Sequence, residues 1–224
     1  MKTWYEGHDR AYRKRKADGW TGWSERREEV EETVSVLERV ILADYVPKKG
    51  RFLELGCGAG DFTLWAAGKG YEAYGVDISP AAVDWAREKA EKNNLKIDFR
   101  TGNVLNLEGY SDDFFDFILD GHCLHCIIGE DRKLFLSSAF RVLKRGGFFH
   151  IGTMCNEPGF DDGSFDTHSR CTVYGDIASR YIGLPEDILQ EIREGGFRIL
   201  HSEIIKSNSN GIVQEGLLVE CRKD

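Results

Sequence analysis

Residues 54–60 read Glu54-Leu55-Gly56-Cys57-Gly58-Ala59-Gly60, and the next apolar run, Tyr71-Glu72-Ala73-Tyr74-Gly75-Val76-Asp77, ends in a carboxylate. Arg51 to Leu55 has strand character, and three alternating glycines then let the backbone turn with no Cβ in the way. Asp61 to Lys69 can be helical, so the turn sits at a helix N-terminus, where free N–H groups favour anionic groups. An acid about 20 residues past such a turn is where a nucleoside-binding fold hydrogen-bonds ribose hydroxyls. The pattern is strand, glycine turn, helix, strand, acid, and it predicts a nucleoside-containing cofactor. A dinucleotide fingerprint would place its third glycine at position 61. Asp61 stands there instead, and a pyrophosphate would meet its charge.

The Glu-x-Gly-x-Gly-x-Gly form of 54–60 resembles motif I of the class I S-adenosylmethionine-dependent methyltransferases. Val76-Asp77-Ile78-Ser79-Pro80 resembles that family's ribose-binding strand end, and Gly102-Asn103-Val104 its adenine-contacting turn. Phe115-Asp116-Phe117-Ile118-Leu119-Asp120 is similar to its fourth strand, and Leu143-Lys144-Arg145-Gly146-Gly147-Phe148 to the turn into the fifth. The resemblance covers about residues 50–155. It implies S-adenosyl-L-methionine as cofactor and S-adenosyl-L-homocysteine as product, with a dinucleotide-binding protein as the rival reading.

Strands alternating with helices imply an α/β fold, a mostly parallel sheet with helices on both faces. The resemblance makes it Rossmann-like and seven-stranded, in the order 3-2-1-4-5-7-6, with strand 7 antiparallel. Residues 1–46 are expected to form an N-terminal helical cap or lid, and 47–224 the methyltransferase domain. Trp4, Tyr5, Tyr12, Trp20 and Trp23 interleave with Arg10, Arg13, Lys14, Arg15 and Lys16, which suits either a surface helix stapled by its aromatics or a lid over the ligands. Ser24 is placed to cap a helix to about Tyr45 with a stripe of Val30, Val34, Leu37 and Ile41, and Ser79 with Pro80 to open another. Glu130 to Lys144 reads as a helix and Phe148 to Met154 as the fifth strand. Residues 155–180, rich in Gly and Asp, read as a long loop at the active site. Pro185 opens a last helix, and Phe197 to Lys206 and Gly211 to Cys221 read as the closing strands.

At 224 residues the chain can bury a sizeable core in one domain. A net charge of −8 argues against broad nucleic-acid binding, since phosphate contacts need a surplus of Lys and Arg. No run approaches the roughly 20 apolar residues of a membrane span. The N-terminus lacks the apolar run of a signal peptide, and six irregularly spaced cysteines suit reduced thiols, so a cytoplasmic monomer or homodimer is expected.

Ligands in such a sheet lie beyond the carboxyl ends of the strands, where the strand order reverses. That selects Glu54, Gly56, Cys57, Gly58, Gly60, Asp77, Ile78, Asn103, Val104, Asp120 and, from the N-terminal segment, Trp23 as cofactor-binding residues. Glu54 supports the turn or approaches the methionine ammonium, and Asp77 accepts the ribose hydroxyls. Asn103 stands where the family often has Asp, and its amide oxygen can still accept from an adenine amine. Past strand four, Gly121-His122-Cys123-Leu124-His125-Cys126 supplies two candidate bases, His122 first and His125 second. Leu124-His125 resembles a Leu-His-His signature of small-molecule methyltransferases, with Cys126 in place of the second histidine. Asp120 is expected to orient His122 or the methionine ammonium. Structural zinc needs four convergent ligands. The only second set to join the His/Cys cluster is His150, Cys155, His168 and Cys171, so no metal is expected, although a soft acceptor fits the cluster. The chain lacks both the Pro-Pro-Tyr-type signature of adenine methylation and the Pro-Cys nucleophile of cytosine methylation. A small-molecule acceptor methylated at O, N or S is the leading expectation. A protein or RNA acceptor, or a non-catalytic cofactor-binding subunit, are the alternatives.

Overall fold

The computed structural model describes residues 3–159, 164–174, 177–209 and 212–224. In chain order its elements are α1 (Glu6–Ala17), α2 (Arg27–Val40), β1 (Arg51–Leu55), α3 (Asp61–Gly68), β2 (Glu72–Asp77), α4 (Pro80–Lys92), β3 (Asp98–Thr101), β4 (Phe115–Asp120), a 3-10 turn (Leu124–Cys126), α5 (Asp131–Val142), β5 (Leu143–Met154), β6 (Phe165–Asp166), β7 (Cys171–Tyr174), β8 (Ile177–Tyr181), α6 (Pro185–Glu194), β9 (Arg198–Ser209) and β10 (Ile212–Arg222).

The main sheet has the order β3-β2-β1-β4-β5-β10-β9. Strands β1 to β5 are parallel, and β10 runs antiparallel to both β5 and β9. Counting only the strands of this sheet, the order is the expected 3-2-1-4-5-7-6. Side chains on successive strand residues point to opposite faces. Leu53, Leu55, Ile118, Phe149 and Ile151 therefore pack under Phe135 and Leu136 of α5 and Ile188 and Ile192 of α6. Phe52, Phe117, Leu119 and Phe148 face the other way, against Leu37 and Val40 of α2 and Ala66 of α3. Each fully buried phenylalanine contributes roughly 1.5–3 kcal/mol. Ser79 caps α4, its hydroxyl accepting the Ala82 N–H at 3.1 Å, with Pro80 in the first turn.

Three expectations are corrected. Ser24 does not cap α2, which starts at Arg27 behind Arg26 and makes no side-chain cap. The helix also stops at Val40, where Lys48 Nζ donates to the carbonyls of Ile41 and Ala43 and folds the chain back. Strand β5 starts at Leu143 rather than Phe148, because a register shift opposite Phe115 and Phe117 absorbs the Gly146-Gly147 turn into one ladder. Residues 155–180 are not simply a loop. They carry a second antiparallel sheet, β6-β7-β8, fixed by Cys171 and Ala178 packing on Ile128. Its turn-rich composition hid strands of two to five residues. Asp161, Asp162 and Gly163 of that stretch, and Gly211 at the start of the expected last strand, lie outside the described residues.

Candidate active site

A cavity of about 570 Å³ lies beyond the carboxyl ends of β1, β2, β4 and β5. Of the residues expected at the site, Glu54, Gly56, Cys57, Gly58, Asp77, Ile78, Asn103, Val104, Asp120, His122, His125 and Trp23 all line it. Gly60 does not. A Cβ there would lie 2.7 Å from the Phe99 ring and 3.0 Å from Ala86. That glycine lets the start of α3 pack on α4 and β3 and gives a ligand no access.

The turn after β1 is held by two buried carboxylates. Asp77 Oδ2 accepts the Gly58 N–H and Oδ1 the Ser79 N–H, both at 2.8 Å. Burial raises its pKa to about 6 even though those amides oppose the shift. Asp77 is thus buried and already engaged, yet each oxygen keeps a lone pair and the residue reaches the cavity. Glu54 Oε2 accepts the Thr63 N–H at 2.7 Å and the Thr63 hydroxyl, tying β1 to the first turn of α3. Burial pushes its pKa well above the carboxylate range. Asn103 Oδ1 accepts the Leu105 N–H at 2.9 Å, which fixes the turn after β3 and leaves one lone pair on that oxygen.

The opposite end is built from β4, the 3-10 turn and β5. Asp120 Oδ1 accepts the amides of Cys123 at 2.8 Å and Leu124 at 3.0 Å, while Oδ2 has no partner. Burial raises its pKa to about 7. The Gly152 amide lies near enough to pull it down slightly but not in hydrogen-bonding geometry. Asp120 therefore holds the turn and does not reach His122. The His122 backbone is left-handed, at φ 60°, and its exposed side chain lines the cavity. Desolvation lowers its pKa. His125 and His150 are more enclosed, each with an unpartnered Nδ1, and burial lowers both pKa values, that of His150 to about 4. Thr153 Oγ1 is likewise buried and unpartnered.

Sequence reasoning missed His150, Thr153, Tyr12, His8 and Arg180 as site residues. Tyr12, on α1, packs on Ala59, Ala82 and Trp85, and a Cβ on Gly58 would run into its hydroxyl. Trp23 stacks obliquely on Tyr12, with centroids 5.2 Å apart, and on His8 at 5.8 Å. Tyr12 had a signal in the aromatic run of the first 23 residues. The clue to His150 was its place near the carboxyl end of the fifth strand.

Among the described residues no three His, Cys, Asp or Glu side chains converge closely enough to hold a metal ion. All six cysteines are free thiols. Burial raises the pKa of Cys123 well above its ordinary value and raises that of Cys126, which disfavours their thiolates. Among the described residues no helix is long and apolar enough to cross a membrane.

Residues 53–151 match the family described as "Methyltransferase domain". The erythromycin 3''-O-methyltransferase of Saccharopolyspora erythraea is 29% identical over 160 residues, 68% of this chain and 51% of that protein. A ubiquinone biosynthesis O-methyltransferase of Bartonella tribocorum is 31% identical over 104 residues, 46% of this chain and 41% of that one. The chain thus spans about half the length, or less, of these curated relatives. A SAM-dependent methyltransferase from Methanosarcina mazei superposes with a TM-score of 0.69 at 20% identity, covering 82% of this chain and 96% of the other, a likeness of fold.

Proposed function

We propose that the chain, whose residues 53–151 match a methyltransferase domain, is a class I S-adenosylmethionine-dependent methyltransferase that methylates O, N or S of a small-molecule acceptor inside the cavity between Asp77 and His150. One observation carries this reading. The cavity that begins at the Asp77 carboxylate ends at a group of buried polar atoms with no partner, Asp120 Oδ2, His125 Nδ1, His150 Nδ1 and Thr153 Oγ1. Buried polar groups are normally hydrogen-bonded, and leaving one unpaired costs about 1–3 kcal/mol. A cavity that retains four is built for ligands that pair them.

The residues fit the cofactor. Asp120 Oδ2 can receive its ammonium, Asp77 its ribose hydroxyls, and Ile78, Val104 and Asn103 can border the adenine. Bound S-adenosylmethionine supplies an electrophilic methyl group on a sulfonium. The chain's own contribution is to align the acceptor and to remove its proton where one must leave. His122 is the base. Its lowered pKa keeps it neutral at pH 7, and its open surface faces the cavity. His125 and His150 wall the acceptor and offer hydrogen-bonding nitrogens. Residues 1–46 act as a cap through Tyr12, Trp23 and Val30, and the free thiols suit a reducing, cytoplasmic setting.

The test is incubation of the purified chain with methyl-labelled S-adenosylmethionine and a cell extract, followed by size separation. Label in the small-molecule fraction is the expected result. Label on protein or RNA would overturn the acceptor class. Tight cofactor binding with no label in any fraction would favour a non-catalytic subunit.

A further inference from the structure

The small sheet β6-β7-β8 delivers to the cavity a cation that has no carboxylate partner among the described residues. Arg180 lies on β8 opposite Thr172, and the packing of Ala178 and Cys171 on Ile128 holds that strand beside the 3-10 turn that carries His125 and Cys126. Arg180 lines the cavity, and its Nη1 donates to the Ser179 carbonyl at 2.8 Å. Among the described residues it has no carboxylate partner. Several other charged groups lining the cavity are paired. Arg26 pairs with Glu29, Asp61 with Lys89 and Glu215 with Lys206. Glu32 stays exposed on α2, both oxygens of Asp77 accept backbone amides, and so does Oδ1 of Asp120, whose Oδ2 has no partner.

A second guanidinium, on α1, lies against the aromatic residues of the N-terminal segment. Arg15 is stacked on Trp23 at 3.8 Å and on Trp20 at 5.1 Å, its Nε is buried without a partner, and it too has no acidic partner among the described residues. His8 lies on the cavity wall beside Trp23. Its pKa falls to about 4, chiefly through burial, with the positive charges of Arg180 and Arg15 acting in the same direction. An arginine fork with no counter-ion among the described residues, lining a ligand cavity, matches the planar geometry of an oxyanion.

Resting on the proposed methyl transfer, we infer that the acceptor carries an oxyanion, a carboxylate or phosphate group, which Arg180 holds inside the cavity that His8 also lines. The methylated atom then lies towards His122, and the acceptor spans the cavity from the small sheet to β5. The small sheet thereby acts as a specificity element.

The test uses the full chain saturated with S-adenosylhomocysteine. Benzoate and inorganic phosphate are titrated separately while the His8 imidazole is followed by NMR. Saturable binding of at least one, weakened about tenfold or more in Arg180→Gln and partly restored in Arg180→Lys, is expected. Binding of neither, or binding indifferent to Arg180→Gln, overturns the inference. If Arg180→Gln instead weakens S-adenosylhomocysteine itself, the oxyanion is the cofactor's carboxylate, and the inference fails while the methyltransferase reading stands. In the extract assay, labelled product retained on an anion exchanger agrees with the inference, and label confined to the neutral or cationic fraction overturns it. Absence of label counts against the proposed function, and the two titrations still decide the anion site.

Discussion

The Tyr12 hydroxyl lies where a side chain on Gly58 would begin, so helix α1 seats itself in the glycine turn it covers. Gly58 also has φ 50°, a left-handed conformation that disfavours any Cβ. Gly58→Ala is expected to push Tyr12 out, to lower thermal stability and to weaken S-adenosylhomocysteine binding by about tenfold or more. Tyr12→Phe removes the clashing oxygen, and the nearest remaining ring atom would lie 3.1 Å from the new Cβ. The double variant should therefore recover part of the loss. A calorimetric double-mutant cycle with purely additive effects would show that the two residues do not meet in solution.

Asp77 holds two amides as well as facing the cavity, so its replacement should act twice. Asp77→Ala is expected to cost a couple of kcal/mol in cofactor binding and a similar amount in stability, because the Gly58 and Ser79 N–H groups lose their acceptor. Asp77→Asn keeps one acceptor oxygen and should fall between. Full affinity in a folded Asp77→Ala would remove Asp77 from the cofactor site. Thermal melts run beside titration calorimetry separate the two effects.

The sheet was legible because burial on both faces writes itself into the sequence. Phe115 to Asp120 is an apolar run interrupted only by Asp116 and closed by an acid, and the 54–60 turn admits few alternatives. The acid residues were legible for the same reason, since a carboxylate at a strand end has a place in the fold before any contact is known. The small sheet was not. Two- to five-residue strands among Gly and Asp carry no period, and Arg180 depends on their pairing to reach the cavity. The role of Gly60 was misread because a glycine that admits a ligand and one that admits a phenylalanine look alike. Likewise, nothing in the sequence says that Asp120 spends its bonds on Cys123 and Leu124 and leaves His122 alone.

His122 predicts an acid limb in the pH profile. Burial lowers its pKa below the ordinary histidine value, so the neutral base prevails at pH 7 and is lost as pH falls below that lowered value. For an acceptor that must lose a proton, kcat should decline on acidification, and His122→Asn should cut it by about 100-fold or more and flatten the limb. Asparagine is the conservative choice because it tolerates the left-handed backbone at φ 60°. S-adenosylhomocysteine affinity should hardly change. Turnover equal to wild type would move the base elsewhere or mean that none is needed.

Ser79 ties α1 to the start of α4. Its hydroxyl accepts from the Ala82 N–H and donates to Asp9 Oδ1 at 2.8 Å, and that same oxygen accepts the Ala81 N–H at 3.0 Å. Asp9→Ala should therefore free α1 from the start of α4 at a cost of about 1 kcal/mol, and Ser79→Ala should cost somewhat more by removing the helix cap too. Hydrogen exchange is the direct readout. Faster exchange confined to residues 6–17 after Asp9→Ala is expected, and unchanged protection there would show that the aromatic packing alone holds the helix.

Asp120 gives stability and binding opposite responses to pH. Its folded pKa of about 7 lies above the unfolded value of 3.8, so between those values the native state binds the extra proton. Its contribution is intact below about pH 4 and is lost as pH rises towards 7, on the order of 4 kcal/mol across the window. Asp120→Asn should remove that slope from urea unfolding measured between pH 4 and 8. A cationic ammonium at the unpartnered Oδ2 would favour the ionised form, so S-adenosylhomocysteine should bind more tightly as pH rises from 6 to 8 and release close to one proton near pH 6. Calorimetry in two buffers of different ionisation enthalpy counts that proton. Affinity and proton count that stay the same in Asp120→Asn would place the ammonium elsewhere and leave Asp120 as the clamp on the Cys123–Leu124 turn alone.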